Sequence, residues 1–163
     1  MLLRDAVFAS DDGLITTFAV VAGSYGASLP ASVVLILGFA NLFADGVSMS
    51  TGTYLGAKSE IEYESAEREG FQEHLSPLKH GMVTFFSFVV AGFIPLIPFV
   101  FSFANAFVLS TILVALALFL IGSLRSIFTH KYWLRSGLEM LIVGGFAALI
   151  AFAVGYLIEK YIL

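Results

Sequence analysis

Asn41, Asp45, Met49 and Thr53 recur every four residues inside an otherwise apolar run that begins near Ala31. On a helix turning 100° per residue, that spacing draws a single polar stripe. A carboxylate at mid-membrane depth costs about 2.5–3.5 kcal/mol on insertion scales, so a proton, a cationic side chain or a metal ion must offset it. The run carries no lysine or arginine before Lys58. A proton would suffice for Asp45 alone. Met49 adds a soft thioether to a hard carboxylate, a mixture that suits borderline first-row ions such as Fe²⁺ better than Mg²⁺ or Ca²⁺, which take all-oxygen cages. The plainer reading makes Met49 a filler of a packing gap.

A second stripe runs through the first apolar segment. Asp5 and Asp12 are separated by two helical turns on one face, which continues through Thr16, Ala19, Gly23 and Ala27. It is acidic at its start and small beyond. Small residues at this spacing let helix backbones approach closely in lipid, so Ala19, Gly23 and Ala27 are expected to pack against another helix, with a second copy of the chain a candidate partner. Asp11 lies about 100° away and points elsewhere.

The elements that must hold these stripes are membrane helices. Of 163 residues, 59% are hydrophobic and only 12% charged, with a mean hydropathy of +0.96. That profile excludes a soluble domain and predicts an all-α integral membrane protein. Five spans are expected, at about 5–28, 31–57, 79–101, 106–126 and 137–159, each near the roughly 20 residues needed to cross the hydrocarbon. Pro30 separates the first two, Pro95 and Pro98 disturb the outer end of the third, and "SFAN" turns the chain before the fourth. With the N-terminus cytoplasmic and the C-terminus outside, Arg4, Lys58, Arg68, Lys79, Arg125, Lys131 and Arg135 fall inside and Lys160 outside, as the positive-inside rule requires. Asp11 and Asp12 argue against a cleaved signal at the N-terminus. Tyr132 and Trp133 mark a headgroup boundary, and His80 and His130 flank spans at that same level.

Residues 58–78 form the one sizeable polar segment, read as a short acidic cytoplasmic helical linker. A helix there puts Glu60, Glu64 and Glu67 on one side and Glu62, Glu69 and Glu73 nearly opposite. With His74 these carboxylates are candidates for capturing cations at an entrance, or else form a solvated helix face. Half of the twelve acidic residues sit in this cluster, so the formal net charge of −4 reports it more than the surface at large. No basic patch suggests nucleic acid. Cysteine is absent, which removes disulfides, thiolate metal sites and cysteine nucleophiles. With no histidine in the core of a span and no nucleophile–base pair, an enzyme is not expected.

The motifs "DGLITTFAVVAG" (12–23), "ANLFADGVSMSTGTYLGAKSE" (40–60), "PLIPF" (95–99), "GSLRSIF" (122–128) and "GLEMLIVGGFAA" (137–148) resemble, in order and spacing, the vacuolar iron transporter (VIT) family. The resemblance implies a five-helix protomer, a parallel homodimer, and a path for Fe²⁺ or Mn²⁺ between the first two helices of each copy, driven by proton exchange. It implies no permanently bound cofactor, and a metal that leaves the cytosol, across the vacuolar membrane in a eukaryote or the cell membrane in a prokaryote. Matched motif by motif, the translocation ligands fall on Asp12, Asp45 and Met49, with Asp5 nearer the cytoplasmic mouth. Two departures stand out. Thr53 occupies a place where many members carry an acidic residue or a second methionine, and the long glutamate-rich domain between spans two and three is cut to about twenty residues. A non-transporting scaffold or metal sensor that kept the fold is the alternative.

Overall fold

The computed structural model describes residues 2–67, 76–129 and 132–162. Apolar runs of this length satisfy every backbone N–H and C=O internally only as helices. The described residues form α1 (Leu2–Gly26), α2 (Ala31–Glu67), α3 (Pro77–Phe93), α4 (Ile97–Val100), α5 (Ala106–Thr129) and α6 (Trp133–Tyr161). One 3-10 turn, Ile94–Leu96, joins α3 to α4, so the pair crosses as one unit and five helices are long and apolar enough to span a bilayer. The protein is an all-α integral membrane protein.

The second span departs most from the boundaries expected. Lys58–Glu67 does not form a separate linker but continues α2, which reaches 37 residues. At 1.5 Å per residue this is about 55 Å, well beyond the roughly 30 Å of hydrocarbon. Lys58 Nζ lies 3.8 Å from Glu62 Oε1 and Tyr63 donates to Glu67 Oε1 at 2.7 Å along the extension. Both contacts are exposed and add little stability. Arg68, Glu69, Glu73, His74, His130 and Lys131 lie outside the described residues.

Proline chemistry shapes α3 and α4. Pro77 opens α3, where a missing N–H costs nothing. Pro95 and Pro98 interrupt the ladder at the far end, and the buried Ser110 hydroxyl of α5 donates to the Pro95 carbonyl at 2.7 Å. Both turns at that end close alike. Leu29 N–H reaches Ser24 O at 3.0 Å and Ser28 N–H reaches Tyr25 O at 3.0 Å, while Phe103 and Ser102 make the same two bonds to Pro98 and Phe99 at 3.1 Å. Ser28 and Ser102 accordingly take left-handed φ values of 55° and 52°.

Helix α1 is the centre of the bundle, packed against α3 and α6 and, along thinner seams, against α2 and α5. It runs parallel to α3 in a fixed register, with Asp5 opposite His80, Gly13 opposite Phe88 and Thr17 opposite Gly92. A Cβ added at Gly13 would sit 2.5 Å from the Phe88 carbonyl oxygen, so only glycine lets the two backbones touch. On its other side α1 meets α6. A Cβ on Gly23 would lie 3.3 Å from the Ala151 carbonyl, and Gly155 abuts Gly23 and the Ala27 amide. The small stripe of α1, Ala19 being half-buried, is therefore occupied at Gly23 and Ala27 by α6 of the same chain, because Gly155 supplies the matching gap. It does not present these two residues to a second copy. Gly122 and Gly137 bring α5 and α6 together in the same manner.

Helix α2 is held differently. Its buried residues, Val34, Gly38, Leu42 and Gly46, recur every four and leave the opposite face open. What Gly38 and Gly46 meet are side chains, those of Leu96, Val89 and Phe85. The open face carries small and polar residues, Ala40, Ala44, Ser48, Thr51 and Gly52, interspersed with large apolar ones, Ile36, Phe43 and Val47.

Candidate functional site

The α1–α2 seam collects the acidic groups. Asp12 on α1 and Asp45 on α2 are both half-buried, and they lie close enough for their charges to act on each other. Two carboxylates from two helices thus share one neighbourhood, although 33 positions of sequence separate them. One turn along α2, Met49 is half-buried and packs against the apolar core. Thr53, one turn further, turns its hydroxyl back to the Met49 carbonyl at 2.9 Å. That bond commits the Thr53 hydroxyl proton to its own helix. Thr16 does the same on α1, donating to the Asp12 carbonyl at 2.8 Å.

Asn41 lies one turn from Asp45 in the other direction. Its side-chain nitrogen is buried and finds no acceptor among the described residues. A buried donor left unmade costs about 1–3 kcal/mol.

Asp11 and Asp5 stand apart from this pair. Asp11 feels the charge of Asp12 and also that of Arg125 on α5, and one of its carboxylate oxygens is buried without a hydrogen bond. Sequence alone had no means of placing Arg125 there, since its position near the end of α5 reads as an interface residue. Asp5 is buried and accepts from His80 Nδ1 at 2.5 Å, with its other oxygen 3.8 Å from Arg4 Nε. His80 was expected to mark the headgroup level and is instead among the buried polar residues, 8% exposed. The two partners are 75 residues apart, and no local pattern links them.

On the extension of α2, Glu60 and Glu67 are exposed and Glu64 half-buried. They form an acidic helix face beyond the membrane-length part of α2. Among the described residues of a single chain, no group of three or more His, Cys, Asp or Glu side chains is arranged around one point to hold a metal ion. Asp12 and Asp45 give the seam two carboxylates, short of the six donors that a six-coordinate divalent ion takes.

Comparison with known proteins shows the family to which the chain belongs. The VIT family profile matches residues 3–76 and 69–156, in two segments that meet at the acidic stretch after α2. The vacuolar iron transporter of Toxoplasma gondii is 25% identical, over 96% of this chain and 74% of its own length. Vacuolar iron transporter 1 of Arabidopsis thaliana is 26% identical over 97% of this chain and 86% of its own, and the vacuolar iron transporter of Plasmodium falciparum is 24% identical over 98% and 83%. The alignments run to 216–227 positions against the 163 residues here, so this chain is a short relative. With the profile matched along nearly its whole length, the chain belongs to the VIT family.

Proposed function

We propose that this protein is a secondary transporter that moves divalent iron, with manganese as a second cargo, out of the cytosol in exchange for protons. The observation that carries the proposal is that Asp12 and Asp45, from α1 and α2, lie close enough for their charges to act on each other, with Met49 one turn along α2 from Asp45. A carboxylate must lose its proton before it binds a metal, so loading the site with Fe²⁺ releases protons and unloading it takes them up. Two ionised carboxylates repel each other when the site is empty; a divalent cation between them removes that repulsion. The thioether biases the set toward Fe²⁺ over hard ions such as Mg²⁺.

The site works as half of a pair. A parallel homodimer that covers the open face of α2, with its small residues Ala40, Ala44 and Gly52, doubles the donors around the axis and closes the coordination shell. Orientation follows from the cations. Arg4, Lys58, Lys79, Arg125 and Arg135 lie toward one end of the bundle and Lys160 toward the other, which favours a cytoplasmic N-terminus. The acidic face of the α2 extension, Glu60, Glu64 and Glu67, then projects into the cytosol and raises the local cation concentration at the entrance. In a eukaryote the receiving compartment is the vacuole; in a prokaryote it is the exterior.

The test is a metal panel offered to proteoliposomes that enclose a pH-reporting dye. Fe²⁺ and Mn²⁺ are expected to shift the internal pH in protein-containing vesicles and not in empty ones. A dye that stays silent while the metal crosses removes proton exchange; silence with no metal movement leaves a scaffold or sensor.

A further inference from the structure

The buried pair at the start of α1 and α3 lies outside the ion path just described, yet it is the one side-chain hydrogen bond between two buried polar side chains among the described residues. Both side chains are 10% exposed, and each belongs to a helix whose backbone touches the other two turns further along, at Gly13 and Phe88. Asp5 is spent on this contact: one oxygen meets His80 and the other faces Arg4, so neither is turned to a cation arriving between α1 and α2. We propose that His80 is a positioning residue of transport, which clamps the first turn of α1 to α3 through Asp5 and so fixes the height and rotation at which α1 presents Asp12 to α2.

Asp12 follows Asp5 by two turns on the same face of α1, so a rotation of α1 at Asp5 is carried to Asp12 undiminished along a stiff helix. Gly13 against Phe88 stops the backbones from separating but does not by itself stop α1 from sliding or turning, since a glycine offers no side chain to interlock. A charge-assisted hydrogen bond at the helix end supplies that restraint. Helix α2 packs on α3 as well, its Ser50 hydroxyl donating to the Gly81 carbonyl at 2.8 Å, so α3 is the common support of α1 and α2, and the clamp at its start sets how the two carboxylates of the path face each other across the α1–α2 seam.

The inference rests on the transport reading for its functional consequence, and its structural part is tested without transport. Spin labels on cysteines replacing Leu3 of α1 and Leu78 of α3, both exposed, report the distance between the two helix ends in this cysteine-free chain. A narrow distribution is expected for the otherwise native protein, broadening in His80→Ala and narrowing again in His80→Asn, whose amide N–H stands where Nδ1–H does. In proteoliposomes His80→Ala is expected to raise the KM for Fe²⁺ about ten-fold, the scale of one lost charged hydrogen bond, with a smaller change in maximal rate and recovery in His80→Asn. Asp5→Asn combined with His80→Ala should be no worse than His80→Ala alone. An unbroadened distribution in His80→Ala overturns the clamp whatever the transport result. Broadening without a change in KM overturns the positioning role while leaving the transporter reading intact. If His80→Ala fails to fold, His80→Asn with wild-type distances and Asp5→Asn with broadened ones sustain the proposal, and the reverse pattern refutes it.

Discussion

The two seams of α1 are built to opposite rules. Toward α3 and α6 the helix offers Gly13, Gly23 and Ala27, and backbone meets backbone with no room for a methyl group at Gly13. Toward α2 it offers Asp12, and the partner helix answers with Asp45, two like charges where a stable interface would place complementary ones. α2 is anchored on the far side instead, where the side chains of Val89 on α3 and Leu96 on the 3-10 turn meet its glycines and the Ser50 hydroxyl donates to the Gly81 carbonyl of α3 at 2.8 Å. One seam maximises contact at the expense of freedom. The other gives up stability to set two carboxylates near each other, which is the usual cost of placing ionisable groups within a membrane.

The sharpest way to break this contrast is to neutralise the acidic seam. Asp12→Asn or Asp45→Asn should cut Fe²⁺ transport by about 100-fold or more, as expected when a group that carries the charge of the cargo is removed. Thermal stability in detergent should hold or rise, because a like-charge repulsion is gone. Loss of stability together with transport would make the carboxylates structural.

The tight seam should respond in the opposite sense. Gly13→Ala is expected to destabilise by about 1–3 kcal/mol through overpacking against the Phe88 carbonyl, read as a lower melting temperature. Gly46→Ala on α2 should cost less than about 1 kcal/mol, since its Cβ would meet only the Val89 and Phe85 side chains at 3.3–3.4 Å and these can shift. Equal losses at the two sites would erase the distinction drawn between the seams.

Smaller effects sharpen the chemistry. Met49→Leu conserves volume and should leave stability within about 1.5 kcal/mol, while lowering the preference for Fe²⁺ over Mg²⁺ about ten-fold, by competition in vesicles, if the thioether is a ligand. An unchanged preference returns Met49 to the role of packing filler. A Cβ added at Gly52 would meet nothing within 4 Å among the described residues outside its own helix backbone. Gly52→Leu should therefore fold normally and shift a dimer toward monomer in size-exclusion chromatography, whereas an undisturbed dimer would place the twofold axis on another face.

The spans could be read from the sequence because hydropathy acts locally. Twenty apolar residues in a row have one stable solution in lipid, and Pro95 and Pro98 disrupt the helix wherever the neighbours lie. The stripe from Asn41 to Thr53 was legible for the same reason, as a period within one helix. Partners across helices were not. The fit of Gly155 against Gly23 and Ala27 depends on which helix arrives there, and small-residue spacing states only that some helix does. His80 reads as a boundary residue because it sits one turn into α3, and only the parallel register of α1 and α3 buries it on Asp5. The continuation of α2 through Glu67 was hidden for another reason: a rise in polarity marks the edge of the membrane, not the end of a helix.

The claim that Asp12 and Asp45 hold one ion between them is tested most directly by Mn²⁺ titration of the purified protein, followed by electron paramagnetic resonance, in the wild type, Asp12→Asn, Asp45→Asn and the double variant. Each single variant should lose the same binding step, and the double variant should lose no more than either. A single variant that keeps the wild-type step, or a double variant that loses two separate ones, would contradict a shared site.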